Sequence, residues 1–235
     1  MRLTALGING PYPPPGGACS GYLFESDCGT RIAVDLGAGT LSRLLALIDL
    51  TNLDALVFSH LHFDHMSDAL PLRYALDFSG RQNLSVIAPT EPANVRALFM
   101  GGKMDLIEPN DTQIGDFRLS FISAVHPVPA FSVALEADGK RVVYTGDTNE
   151  NDALELFADR ADLLIADAGL LERDYAKRAP HLSARRCGEL AARVSARGLM
   201  LTHLSPRYAP DEVLSEAREA YPHAELMEEL HTIYI

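Results

Sequence analysis

The stretch Ser59-His60-Leu61-His62-Phe63-Asp64-His65 puts four metal-capable side chains within six residues. It follows the apolar run Ala55-Leu56-Val57-Phe58, a short buried-strand candidate, so the motif lies in the turn that leaves a strand. In an extended turn His60 and His62 can point to one side while Asp64 and His65 curl back from the other; on a helix, residues two apart do not face one another. One zinc ion takes about four ligands, commonly histidine nitrogen and carboxylate oxygen. This segment alone nearly exceeds that, so two adjacent ions suit it better than one. Further donors of matching type are His126 after Ser120 to Val125, Asp147 in Tyr144-Thr145-Gly146-Asp147-Thr148, and His203 at the end of Leu199-Met200-Leu201-Thr202-His203. Each ends a predicted strand, where α/β sheets usually place their sites. Singly, each would be an ordinary polar residue. Together with the first motif they complete two coordination shells, which a solvated histidine-rich loop would not require.

Holding these residues calls for a framework of alternating strands and helices. The predicted strands cover 2–8, 21–26, 30–36, 54–58, 84–89, 114–125, 131–137, 141–146, 162–167, 198–203 and 231–235, with a hairpin turn at Ala137-Asp138-Gly139-Lys140. Helical apolar spacing predicts helices over 40–50, 66–78, 90–100, 151–159, 183–197 and 210–220, with Ser183 and Pro210 as start signals for the last two. Residues 11–17, Pro-Tyr-Pro-Pro-Pro-Gly-Gly, must be an irregular loop, either a rigid connector or the rim of a site. Mixed sheets covered by helices in a single domain over 1–235 fit this order best.

Composition narrows the classes. The chain has 235 residues, 47% hydrophobic and 22% charged, enough for a substantial core without staples. Its formal charge of −12 disfavours general affinity for nucleic-acid backbones or anionic membranes. No stretch approaches the roughly 20 apolar residues of a membrane span, and the N-terminus lacks a basic end followed by a long apolar run. Cys19, Cys28 and Cys187 are odd in number and lack CxxC spacing, so neither a disulfide framework nor a cysteine zinc site is indicated. A cytoplasmic protein is the expectation. Cys19 and Cys28 read as small buried residues, and His223 and His231 as surface or sheet residues.

HxHxDH at 60–65, then His126, Asp147 and His203, resembles the metallo-β-lactamase superfamily in residue type and order, over most of the chain. The resemblance implies a four-layer αβ/βα sandwich, two mixed sheets flanked by helices, with a two-metal site between the sheets. It implies that His60, His62 and His126 hold one ion, Asp64, His65 and His203 the other, and that Asp147 bridges both. The ions would be Zn2+, with Mn2+ the alternative. An acidic residue where this chain has His62 would mark the flavodiiron branch, which its histidine speaks against.

Within the superfamily the sequence is most similar to ribonuclease Z and its smaller phosphodiesterase-like relatives, through Asp35 to Thr40, Tyr144 to Thr148 and Leu201 to Tyr208. Pro180-His181-Leu182-Ser183 falls where that enzyme has a histidine that contacts phosphate and assists departure. His181 is therefore the candidate for that role, with Asp167 orienting it, although Asp167 stands where ribonuclease Z has Glu, one His of that motif is absent, and Ala38 also replaces a Glu. A surface histidine before the Ser183 cap is the competing reading of His181. Asp35 either orients a metal-bound histidine or makes a simple turn. Only 20 residues separate His126 from Asp147, too few for a tRNA-clamping arm.

The function implied is a two-metal hydrolase of a small phosphodiester or related anionic ester. Two divalent ions against Asp64, Asp147 and one hydroxide leave the inner shell near about +1, which favours an anionic group. Metal-activated hydroxide would attack, Asp64 would orient it, and His181 would assist the alkoxide. The alternatives are a carboxylic-ester, thioester or lactone hydrolase of the same fold, and a metal-binding module without turnover. The partner is the small substrate, with no extended nucleic-acid surface and no membrane; the resemblance also implies a homodimer.

Overall fold

The computed structural model describes residues 1–235. The first sheet contains β1 (Arg2–Gly7), β2 (Gly21–Glu25), β3 (Arg31–Leu36), β4 (Ala55–Val57), β5 (Leu84–Ile87) and β6 (Met104–Ile107). The second contains β7 (Thr112–Ile114), β8 (Phe117–Ser123), β9 (Phe131–Ala137), β10 (Lys140–Tyr144), β11 (Leu163–Asp167), β12 (Leu199–Thr202) and β13 (Ala224–Leu226). The last strand, β14 (Thr232–Tyr234), returns to the first sheet and pairs with β1. The orders are β14-β1-β2-β3-β4-β5-β6 and β13-β12-β11-β10-β9-β8-β7. Each sheet is antiparallel on one side and parallel on the other, the switch falling at β3 and at β10.

Alternation along the strands sorts side chains between layers. Ile32 and Val34 of β3 and Val57 of β4 enter the core between the sheets, where Val133, Leu135, Val142 and Ile165 meet them. Ala33 and Leu56 face the other way, toward α1 (Thr40–Leu47), α2 (Phe63–Met66) and α3 (Ala69–Phe78), and pack with Leu44, Met66 and Leu72. On the far side of the second sheet, α5 (Asp152–Phe157), α6 (Ala184–Arg193) and α7 (Pro210–Arg218) bury Leu154, Leu190 and Val213 against Leu164 and Leu201. Period-2 alternation with apolar residues on both faces is what a doubly covered sheet requires. Four layers result, as expected. No helix is long and apolar enough to cross a membrane.

The differences from the sequence reading have local causes. Residues 90–100 hold only one α-helical turn, α4 (Ala93–Arg96), and a 3-10 turn at Ala97–Phe99. Phe99 is the sole buried side chain of those two turns, so no apolar stripe supports a longer helix. The helix expected at 66–78 is α3, starting three residues later at Ala69, and the single turn α2 precedes it within the metal-capable motif. The run 114–125 is broken at Gly115 and Asp116 into β7 and β8, which pair with each other. β6 and β13 were not expected: Met-Asp-Leu-Ile and Ala-Glu-Leu, at four and three residues, are too short to carry a strand signal of their own. Cys19 is buried as anticipated, but Cys28 is exposed because it lies in the turn between β2 and β3. Ser183 does cap α6, accepting from the Arg186 N–H, and Pro210 occupies the first turn of α7.

Candidate metal centre

All seven expected ligands converge where the two sheets meet. His60, His62, Asp64 and His65 come from the first sheet, on the β4–α2 turn and on α2 itself. His126, Asp147 and His203 come from the second, just past β8, β10 and β12. Asp35 and His203 have left-handed backbones at φ 57° and 54°, a conformation costly for side chains other than glycine and one that clusters at functional sites. Two glycines permit the close approach. A Cβ on Gly37 would lie 1.9 Å from the Asp64 carbonyl oxygen, and one on Gly10 would lie 2.0 Å from the His203 ring.

Hydrogen bonds aim the rings. Asp35 is fully buried and accepts from the Ser59 N–H at 2.8 Å, the Ser59 hydroxyl at 2.8 Å, His65 Nδ1 at 2.8 Å and the Tyr144 hydroxyl at 3.0 Å. His60 Nδ1 lies 3.1 Å from the Ser59 hydroxyl, and His126 Nδ1 lies 3.0 Å from the Pro180 carbonyl. With each Nδ1 so occupied, Nε2 of His60, His65 and His126 is left to face the site, the arrangement that carboxylate and carbonyl partners impose on metal-bound histidines. Asp35 therefore orients His65 directly and His60 through Ser59, settling the sequence alternative in favour of orientation. Asp35→Asn, which replaces an accepting oxygen with a donor, is expected to weaken divalent-ion affinity by about 10- to 100-fold. A chelator competition titration measures this; unchanged affinity would remove Asp35 from the site.

The donors form two groups that share Asp147: His60, His62, His126 and Asp147, and Asp64, His65, Asp147 and His203, the ligand atoms within each lying within 4.8 Å of one another. His60 Nε2 and His126 Nε2 lie 3.0 and 3.1 Å from His62 Nδ1. Ligands about 2.0–2.1 Å from a tetrahedral zinc would be separated by about 3.3 Å, so this triangle has nearly the required size. Asp147 Oδ2 faces His60 at 3.6 Å, while Oδ1 faces His65 Nε2 at 3.2 Å and His203 Nδ1 at 3.3 Å. Its two oxygens thus serve different groups. His65 Nε2 and Asp147 Oδ1 are buried without hydrogen-bond partners, a costly arrangement that a cation between them would relieve.

The electrostatics agree. Burial is the main influence holding His60, His62 and His126 below the ordinary histidine range, so their lone pairs are free at neutral pH. Burial would raise Asp147, but His203, His65 and His60 outweigh it and hold the carboxyl well below its usual range. Burial likewise opposes charge on His65, yet Asp147 and Asp35 prevail and hold it well above its usual value. The second group therefore demands positive charge at its centre. The residues present fit divalent cations.

His181 stands beside these groups. Its Nδ1 lies 2.9 Å from Asp167 Oδ2 and 3.8 Å from Asp147 Oδ2, and its ring stacks on His203 with centroids 4.8 Å apart. Burial disfavours its charge, but Asp167 first and Asp147 second raise it to about 9, keeping a proton on the ring at neutral pH. Asp167 is also fixed by the N–H groups of Gly169 and Thr148 at 3.0 and 3.2 Å, so the shorter carboxylate does reach His181. The groove above has a volume of about 280 Å³ and is lined by three prolines, four histidines and two aspartates. Pro11 is among them, so the proline-rich loop rims the site. Sequence reasoning did not find Ser59 or the Tyr144 hydroxyl as members of this network; the only available signals were that Ser59 precedes His60 and that Tyr144 lies three residues before Asp147.

Comparison with known proteins agrees with this geometry. A beta-lactamase superfamily domain model matches residues 27–204. A Bacillus subtilis protein described as a probable metallo-hydrolase, YhfI, is 30% identical over 230 residues, covering 94% of each chain. Its crystal structure superimposes with a TM-score of 0.92 over 99% of both chains. Ribonuclease Z of Haloarcula marismortui is 26% identical over 293 residues, covering 94% of this chain and 92% of that one. The short form of human tRNase Z, 20% identical, shares the fold with a TM-score of 0.80 over 100% and 99% of the two chains. The chain belongs to the beta-lactamase superfamily and is a metal-dependent hydrolase of that fold, in the neighbourhood of ribonuclease Z.

Proposed function

We propose that the protein hydrolyses a small phosphodiester or a closely related anionic ester, using two divalent ions, zinc or alternatively manganese, held by His60, His62 and His126, by Asp64, His65 and His203, and by Asp147 between them. When bound, such ions lower the pKa of water toward about 7 and polarise the ester oxygen. The observation that carries the reading is the His181–Asp167 pair: an imidazole lining the same groove, held by a carboxylate at 2.9 Å and not needed to complete either donor group. Asp147 and Asp64 place the reacting centre, and Asp64, on the groove wall, orients the incoming nucleophile. His181 donates to a phosphoryl oxygen or to the departing alkoxide through Nε2. The absence of aliphatic side chains other than proline from the groove suits a charged group better than an acyl chain.

The same reading includes cytoplasmic operation and no use of large RNA. Between His126 and Asp147 the chain forms β9, a two-residue turn at Asp138 and Gly139, and β10, and the stretches 127–130 and 145–146 are too short for a projecting arm. The alignment with the archaeal ribonuclease Z is longer than this chain, so that relative carries inserted segments absent here. Precursor tRNA is expected to be processed weakly or not at all, while model phosphodiesters are turned over. The test is a substrate panel of phosphodiesters, cyclic nucleotides, precursor tRNA, thioesters and lactones, with metal content measured on the same samples. Efficient tRNA cleavage with a steep salt dependence would contradict the absence of a basic footprint. Preferential turnover of thioesters or lactones would replace the phosphodiester reading with that alternative.

A further inference from the structure

Asn149, two residues beyond Asp147, is buried to 3% exposure, and both ends of its side-chain amide are engaged. Nδ2 donates to the carbonyl oxygens of Lys177 and Ala179 at 3.2 and 2.7 Å. Oδ1 accepts from the Tyr175 hydroxyl and from the Glu150 N–H at 2.6 Å. The Asn149 backbone N–H donates to the Val125 carbonyl at 3.0 Å, and the Thr148 hydroxyl accepts from the Val125 N–H at 3.0 Å. Asn149, through its backbone and its side chain, thus joins the strand ends that carry His126 and Asp147 to the loop that carries His181. That loop has little else. Lys177 and Arg178 are exposed, and the other bonds of the 175–181 backbone are Tyr175 N–H to the Glu172 carbonyl at 3.1 Å, Ala179 N–H to the Ala176 carbonyl at 2.8 Å and the Pro180 carbonyl to His126 Nδ1 at 3.0 Å.

We propose that Asn149 is the positioning residue for His181: by clipping the 175–179 backbone it fixes the approach of the imidazole to the groove. Asp167 sets the ring's rotation, but it cannot hold the main chain from which the ring projects. An error of about 1 Å in the placement of such a group can cost about 100-fold in rate. Asn149 touches none of the donor groups directly; its side chain reaches the site through the 175–179 backbone, which carries His181 and also the Pro180 carbonyl that holds His126 Nδ1 at 3.0 Å. The inference rests on the proposed role of His181, and its test separates the two.

The metal-loaded protein is compared with Asn149→Ala, Asn149→Asp, His181→Ala and the Asn149→Ala/His181→Ala double variant. Asn149→Asp keeps the volume and the bonds accepted by Oδ1 while losing the donors to Lys177 and Ala179, so it reports on the clip if the alanine variant folds poorly. Metal content should be retained, because Asn149 supplies no donor; loss of an ion in Asn149→Ala would show that the loop acts through the Pro180 carbonyl on His126 and would overturn the link to His181. Native-state trypsin cleavage after Lys177 and Arg178 should accelerate by about tenfold or more, because cleavage follows local opening. Turnover of a phosphodiester with an alkyl leaving group should fall by about 10- to 100-fold, with a much smaller loss on a nitrophenyl ester. In the His181→Ala background, Asn149→Ala should add little, since both act through one group. Unchanged trypsin cleavage overturns the clip whatever His181 does. Faster cleavage with equal losses on both esters, or with fully additive losses, overturns its link to His181. Equal losses on the two esters in His181→Ala itself would instead refute the acid role of His181, and the cleavage rates would still decide whether Asn149 holds the loop.

Discussion

Asp147→Ala is expected to reduce bound divalent ions from the proposed two per chain to fewer than one, and to lower hydrolysis by at least about 1000-fold. Its two carboxylate oxygens face different donor groups, Oδ2 toward His60 and Oδ1 toward His65 and His203. Removing them deprives both groups of charge and of a ligand. His60→Ala should weaken one ion more than the other, because it removes a neutral donor from a single group. Metal-ion catalysis contributes several kcal/mol, and about 4 kcal/mol corresponds to about 1000-fold. Elemental analysis after reconstitution and kcat on a phosphodiester check both parts. Two ions retained in Asp147→Ala, or equal losses of both ions in His60→Ala, would mean that the donors are grouped differently.

His181→Ala should keep both ions and the fold while lowering kcat on a phosphodiester with a poor alkoxide leaving group by about 100- to 10,000-fold, the usual range for a general acid. An activated nitrophenyl ester should lose much less, because its leaving group departs unprotonated. His181 Nδ1 is taken by Asp167 at 2.9 Å, so the residue is anchored without a cation. Together with Asp147, Asp167 and His203 it nonetheless forms a third group of potential ligands. Loss of an ion in His181→Ala would therefore assign His181 to metal holding, and small, equal losses on the two esters would return the thioester or lactone alternative to the front.

The sequence showed the donors because their chemistry is local: HxHxDH lies in one turn, and His126, Asp147 and His203 each end an apolar run. The sheets were legible for the same reason, since Ile32, Val34 and Val57 alternate with residues for the opposite layer. What stayed hidden depends on contacts between distant segments. Nothing in the Asn149 neighbourhood foretells a bond to Lys177, and nothing about Tyr144, at the end of a strand and the start of a stretch similar to ribonuclease Z, foretells its hydroxyl crossing to Asp35. β6 and β13 were missed because an edge strand is defined by the neighbour it pairs with more than by its own composition.

Tyr144 of the second sheet reaches Asp35 of the first at 3.0 Å, and Tyr22 of the first reaches Thr202 of the second at 2.6 Å, the two rings 5.0 Å apart. Immediately above this pair of reciprocal ties, each donor group also draws side chains from both sheets. A cation held there would fasten the halves of the molecule to one another, and its binding energy would become cohesion of the sandwich itself. By mass action, an ion at 100 times its dissociation constant contributes about 2.7 kcal/mol to the folded state. Metal supply would then govern how much intact protein persists as well as how fast each molecule works, so scarcity would remove the enzyme through unfolding and turnover of the chain, beyond simply idling it.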